Sequence, residues 1–354
     1  MPHLGCVNSK CISSSLEIGK VGGCFFSGAS GHAIMLSTMN FLITGAAGFL
    51  GSALANRLAR EGHHVRGLDD LSTGDPHALS PDILFTRGDV NDRPKLWTLL
   101  QEVDCVYHLA ARVSVPESVL YPREYNAVNV GGTVSLMEAM RDVGVRRVVF
   151  ISSGAVYGDQ GEQPLSQDAP PNPRSPYAVS KLAAEYYVST IGDLWGIETV
   201  SLRVFNAYGP GQHLPPSHPP VIPNFLRQAV RGGTLVVHSE GTQTRDYVFV
   251  DDAIRAMVAA ATAPDIHHLI VNVGSGTETS VRELVRLVLD VTNSKAEVVY
   301  NPHTDPGVSR MCADLSLARA RLGYHPRVSL ADGLRQTLER DPRFRIEPPT
   351  RPIR

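Results

Sequence analysis

Residues 40–62, NFLITGAAGFLGSALANRLAREG, constrain the fold more than any other part of the chain. A short apolar run ends at Gly45, glycines follow at 48 and 51, and apolar residues then recur at helical spacing as far as Gly62. This is the pattern of a strand, a tight turn and a helix. Gly45 permits the turn, Gly48 lets a pyrophosphate approach the backbone, and Gly51 lets the helix pack closely on the strand. The helix start offers free N–H groups and the positive end of its dipole to phosphates. Three glycines alone would equally suit an ordinary turn, so the context must decide.

That context is a repeated alternation. HHVRGLDD, ILFTRGDV, VDCVYHLAA, RRVVFISS and ETVSLRVFN read as further strands, with NVGGTVSLMEAMRDVGV and SPYAVSKLAAEYYVSTI as helices. Strands alternating with helices imply a parallel sheet covered on both faces, and right-handed crossovers wind it into a doubly wound α/β fold of the Rossmann type. We place this domain at residues 39–207, with returning segments near 250–275. Beyond the proline-rich stretch GPGQHLPPSHPPVIPNF, read as a loop over a cleft, the rhythm changes. A smaller α/β substrate-binding domain is expected over 208–345, with a tail at 346–354. Residues 1–38 lack periodicity and a continuous apolar segment, and are expected to be disordered or mis-assigned.

The chain has 354 residues, 43% of them hydrophobic, and a formal net charge of −2. It can bury a large core, and it shows neither the basic excess of a nucleic-acid binder nor a run of about 18 apolar residues that would span a membrane. Five cysteines, three of them in the first 24 residues, match no zinc-binding spacing and demand no oxidising compartment, so the cytoplasm is the expected location. The pairs His63–His64 and His267–His268 read as strand entrances rather than metal ligands, and no metal is expected. His108 reads as packing, and Asp251–Asp252 as a helix N-cap.

Asp69 ends the second strand. A carboxylate there accepts hydrogen bonds from an adenosine ribose and repels a 2′-phosphate, which favours NAD over NADP. Asp89, after the third strand, is placed to meet the adenine. Ser153 ends the strand RRVVFISS, where side chains are delivered to a cleft. Tyr177 and Lys181, at i and i+4, share one helix face. A phenol with a pKa near 10 is a poor base until positive charge stabilises its phenolate, which Lys181 and an oxidised nicotinamide would do.

The motifs GAAGFLG, DDLSTG, GDV, YHLAA, SSGAVYG, SPYAVSK and LRVFNAYGPGQ, in this order, resemble the extended short-chain dehydrogenase/reductase family, and within it the nucleotide-sugar epimerases of the UDP-glucose 4-epimerase type. The resemblance covers nearly all of residues 39–340. It implies an NAD site that also includes Phe49, Leu50, Asp70, Ser72, Thr73, Gly74, Val90, Leu109, Ala110, Ala111, Asn129 and Phe205. It implies Tyr177 as base, Lys181 as its electrostatic partner and ribose ligand, and Ser153 as the hydroxyl that binds the reacting sugar oxygen. For the substrate it implies Val115, Asn206, Val221, Val236, His238 and Arg245, with Arg310 standing in for a diphosphate-binding arginine whose usual place falls near Thr304. An alternative for Arg245 is a surface ion pair with Asp246.

Relatives that eliminate water from the sugar, or decarboxylate it, carry acids just after the active-site hydroxyl residue. Here Gly154 and Ala155 stand there. The resemblance therefore implies epimerisation at C4, most simply of UDP-glucose and UDP-galactose, by transient oxidation to a 4-keto sugar and hydride return. A homodimer built on the helices around 126–142 and 176–194 is implied as well. Alternatives are an epimerase of UDP-glucuronate or another nucleotide sugar and, in another class, a non-catalytic NAD-binding sensor or scaffold.

Overall fold

The computed structural model describes residues 38–303 and 307–345. The N-terminal extension, Thr304 and the C-terminal tail lie outside the described residues, apart from Thr38 itself.

Six strands come first: β1 (Asn40–Thr44), β2 (His64–Asp69), β3 (Leu84–Arg87), β4 (Cys105–His108), β5 (Arg147–Ser153) and β6 (Glu198–Val204). Short strands follow: β7 (Asn206–Tyr208), β8 (Leu235–His238), β9 (Thr244–Arg245) and β10 (Tyr247–Phe249), then β11 (Leu269–Val273), β12 (Thr279–Ser280) and β13 (Val298–Asn301). The main sheet has seven strands in the order β11-β6-β5-β4-β1-β2-β3, all parallel. Strand order reverses between β1 and β4, and ligands of such sheets lie outside the strand ends at that point. The remaining strands form three two-stranded pairs, β10-β7, β12-β9 and β13-β8.

The helices that position the site are α1 (Phe49–Arg60), α2 (Arg93–Leu99), α3 (Val115–Leu120), α4 (Pro122–Tyr125), α5 (Gly132–Val143), α6 (Pro176–Trp195), α7 (Val221–Arg231) and α8 (Val250–Thr262). One buried cluster under the sheet joins Phe41, Ile43, Leu54 and Tyr107 to Val248, Met257 and Leu284. The opposite face packs Leu42, Val106 and Phe150 against Leu136, Met140 and Val188. Near-continuous apolar strands are what burial on both faces requires.

Ser175 caps α6 by accepting from Ala178 N at 3.2 Å, and Pro176 occupies its first turn. Lower on the same helix, Glu185 meets Arg203 of β6 in a buried ion pair at 2.5 and 3.1 Å, and Arg203 also donates to Gln167 O. Removing one partner of such a pair typically costs about 3–5 kcal/mol, so α6 is clamped to the sheet.

Asp251 and Asp252 are not an N-cap. They lie in the first turn of α8, whose cap residue is Phe249. Asp252 is buried and accepts from Arg327 N at 2.9 Å and Val328 N at 3.0 Å, which fastens the C-terminal segment to the helix. An acidic pair at a helix start reads the same in sequence whether it caps its own helix or holds a distant chain.

Candidate active site

A cavity of about 750 Å³ runs from the turn after β1 across the ends of β4 and β5 to β7 and the segment 307–311. At its origin Gly45 has φ +71°, and its N–H donates to Leu68 O at 2.8 Å. A Cβ on Gly45 would stand 2.7 Å from Ala110 N, and one on Gly51 only 2.0 Å from Gly45 O. Both glycines are therefore required by backbone approach. Gly48 begins α1 without a side-chain cap, leaving a helix terminus suited to phosphate.

Asp69 is buried where β2 ends. It accepts from Ala47 N at 3.0 Å and Leu71 N at 2.8 Å. Burial pushes its carboxyl up from the usual range, and these backbone donors pull it back. Its carboxylate is thus oriented by the loop and borders the cavity, as do Asp70, Ser72, Thr73, Asp89 and Val90. Asp89 is fixed by Asn91 N at 2.8 Å. Close-approach glycines, an uncapped helix start and a buried carboxylate at the end of the second strand are the features that dinucleotide sites of this fold combine. Further along, Leu109, Ala110, Ala111 and Phe205 continue the wall beside Phe49 and Leu50.

Ser153, Tyr177 and Lys181 all line the cavity, with Ser153 hydrogen-bonded to Tyr177. Ser153 ends β5, and its Oγ accepts from Ala155 N at 3.1 Å. Burial raises the Tyr177 phenol above its usual pKa, and a hydrogen bond with Ser153 opposes that shift. Lys181 is buried with its Nζ 4.5 Å from the centre of the Phe150 ring, and burial lowers it to about 7 against the stabilising charge of Glu185. Burial thus dominates at Tyr177, and positive charge brought to the site would oppose it. Ser152, missed in the sequence, borders the cavity too, and its buried Oγ lacks a hydrogen-bond partner.

The slot after Ser153 holds Gly154 and Ala155, neither of which offers an acid, and it is tight at Gly154. A Cβ on Gly154 would lie 3.1 Å from the Phe205 ring. Arg245 lines the cavity and donates to Thr244 O and Val308 O, each at 2.7 Å. It is not the surface partner of Asp246. That carboxylate is buried and taken by Ser275, Gly276 and Ala313. Asn206, Val115, Val221 and Met311 also border the cavity.

Five expected site residues stand elsewhere. Asn129 is buried, and its amide is engaged by Arg112 N (2.8 Å), Arg112 O (3.0 Å) and Ser180 Oγ (2.9 Å). It ties the segment after β4 to α6 next to Lys181, so it positions the site without lining it. Gly74 is packed on Ala47, with a would-be Cβ 2.9 Å away. On β8, Leu235 and Val237 take the buried face, which turns Val236 and His238 outward. Arg310 is captured by Glu278 through two contacts of 2.7 Å, a carboxylate already bonded by Thr244. That pairing pulls Glu278 down to about 2. Neither strand parity nor ion-pair choice is visible in a motif alignment. His108, by contrast, is a packing residue as expected: Thr44 and Thr133 hold its two ring nitrogens at 2.7 and 2.9 Å, and burial lowers it to about 3.

Among known proteins, the chain is 41% identical over 309 residues to the UDP-glucose 4-epimerase of Mycolicibacterium smegmatis, covering 85% of this chain and 98% of that one. In structure it is similar to the UDP-glucose 4-epimerase of Thermotoga maritima solved with UDP-glucose (TM-score 0.82, 33% identity, 85% of this chain and 98% of that one). It is also similar to the UDP-glucuronic acid 4-epimerase of Bacillus cereus solved with UDP-glucuronic acid and NAD (TM-score 0.79, 32% identity, 85% and 98%). Residues 41–274 match the model of the NAD dependent epimerase/dehydratase family. With the glycine turn, the Asp69 carboxylate and Ser153, Tyr177 and Lys181 on one cavity, the chain belongs to that family.

Proposed function

We propose that the protein is an NAD-dependent 4-epimerase of a UDP-hexose, with UDP-glucose and UDP-galactose as the interconverted pair. NAD-dependent epimerisation of a nucleotide sugar is the chemistry of the family and of the relatives named above. The observation that supports the finer reading is that Ser153, Tyr177 and Lys181 line one cavity while Gly154 and Ala155, just after Ser153, offer no carboxylate. NAD, when bound, supplies reversible acceptance of hydride from the sugar carbon. The chain's own residues do the rest. Asp69 would hold the adenosine ribose and select against a 2′-phosphate. Ser153 orients the C4 hydroxyl, and Tyr177 takes its proton and later returns it. Lys181 supports the phenolate. Arg245, with a guanidinium suited to phosphate oxygens, is assigned to the diphosphate while the sugar turns over.

The experiment is a C4-deuterated UDP-glucose followed by NMR, run beside UDP-, dTDP- and GDP-sugars. UDP-galactose with deuterium retained at C4 is the expected product. Loss of label to solvent, or its appearance at C6, would refute transient C4 oxidation. UDP-glucuronate is the second reading, favoured by the likeness to the Bacillus cereus enzyme. Faster turnover of it than of UDP-glucose would replace the first. A sensor without catalysis fits poorly with a complete proton-transfer group.

A homodimer is part of the proposal, as is a cytoplasmic location. Among the described residues no helix is long and apolar enough to cross a membrane. Helix α6 leaves Val179, Tyr186, Tyr187 and Leu194 exposed by 52, 56, 47 and 72%, and Val119, Leu120 and Tyr121 at α3 add apolar surface beside it. Exposed apolar residues gathered on neighbouring helices support an interface here. The apolar residues of α5 are largely spent on the core. Light scattering should give twice the chain mass at micromolar concentration; a monomer there would exclude the dimer.

A further inference from the structure

The two histidine pairs have different fates. His63 accepts from Met39 N at 3.2 Å and meets the Phe41 ring edge-on, an ordinary role at a strand entrance. His267 and His268 instead both turn to one carboxylate, that of Asp193 in the last turn of α6. His267 Nε2 lies 3.4 Å from Asp193 Oδ1, and His268 Nε2 contacts the same oxygen. Successive residues of an extended chain point to opposite sides. Here His268 adopts φ +60°, and the two rings come together with centroids 4.1 Å apart.

Ser189, one turn before Asp193, has its hydroxyl 2.8 Å from His268 Nδ1. Facing a carboxylate, Nε2 carries the proton and donates, and the Ser189 hydroxyl holds Nδ1; an ion taking Nε2 would shift the proton to Nδ1, where the same hydroxyl can accept it, which is how metal-ligating imidazoles are oriented. The ligand atoms of the three residues lie within 4.8 Å of one another. Ligands about 2.0–2.2 Å from a tetrahedral ion are roughly 3.3 Å apart, so His268 must open from the carboxylate and the two imidazole nitrogens draw together to admit the ion. Two imidazoles and a carboxylate suit a borderline transition ion rather than Mg²⁺ or Ca²⁺, which take oxygen ligands.

We propose that Asp193, His267 and His268 form a surface Zn²⁺ site, with water completing the coordination. None of the three borders the cavity. The ion would staple the end of α6 to the connector that leads into the edge strand β11, and would act on stability rather than on the reaction.

The test is calorimetric titration of ZnCl₂ into untagged, EDTA-stripped full-length protein, repeated with Asp193→Asn and His268→Gln. One micromolar site is expected, weakened at least tenfold in each variant, with epimerase turnover and the melting temperature in EDTA unchanged. Zinc should raise the melting temperature of the wild type more than that of either variant. Cys6, Cys11 and Cys24 carry thiols that are a competing source of zinc binding. Co²⁺ separates the sources: visible absorption without a thiolate charge-transfer band is expected from this site. No zinc binding at 100-fold the protein concentration, isotherms unaltered by the substitutions, or a thiolate spectrum alone would each overturn the proposal.

Discussion

Tyr177→Phe is expected to lower turnover by about 10²–10⁴ while NAD and UDP-sugar still bind. The substitution removes the proton acceptor and keeps the ring, so the edge-on packing of Tyr177 against Tyr125 survives. What goes is the phenol oxygen, which burial alone would hold protonated and which Ser153 helps to ionise. A loss of this size adds about 3–5 kcal/mol to the barrier. Cofactor affinity by fluorescence titration and turnover by NMR, on the same preparation, separate chemistry from binding. A variant within tenfold of wild-type turnover would mean that another group moves the C4 proton. A variant that no longer binds NAD would mean that the ring, not its oxygen, was the important part.

Gly51→Ala should be nearly as damaging, through binding instead of chemistry. The added Cβ would stand 2.0 Å from Gly45 O, 2.8 Å from Gly45 C and 3.0 Å from Ala46 Cα. All three are backbone atoms, so no side chain can swing aside. Helix α1 must withdraw from β1, and the turn that receives the pyrophosphate opens with it. We expect NAD affinity to fall at least ~100-fold, about 2.7 kcal/mol, and stability to drop by about 1–3 kcal/mol from overpacking. Gly62→Ala is the control. Gly62 also has positive φ (+86°) but meets nothing within 4 Å, so it should cost about 1 kcal/mol of stability and leave NAD binding alone. Equal NAD affinity in Gly51→Ala and wild type would show that the close approach of α1 does not shape the cofactor site.

Sequence alone carried the parts that depend on local periodicity and on chemistry at fixed spacing. The glycine turn at 45–51 was legible because only glycine tolerates a backbone at these distances. The Asp69 carboxylate was legible because β2 ends where its apolar run ends. Tyr177 and Lys181 could be paired because helical geometry places i and i+4 on one face. The parallel sheet followed from alternating strands and helices, and its seven-strand order agrees with that expectation.

Tertiary structure decided what depends on which long-range partner wins. Asn129 does not line the cavity, because its Nδ2 donors go to Arg112 O and Ser180 Oγ and its Oδ1 accepts from Arg112 N. Arg310 pairs with Glu278, and Asp252 was drawn to backbone amides some 75 residues away. Val236 and His238 turned outward because Leu235 and Val237 took the buried face of a two-sided strand. Each is a competition between groups distant in sequence for one donor, one charge or one face. Local pattern contains only one of the competitors, so the outcome exists only once the chain has folded.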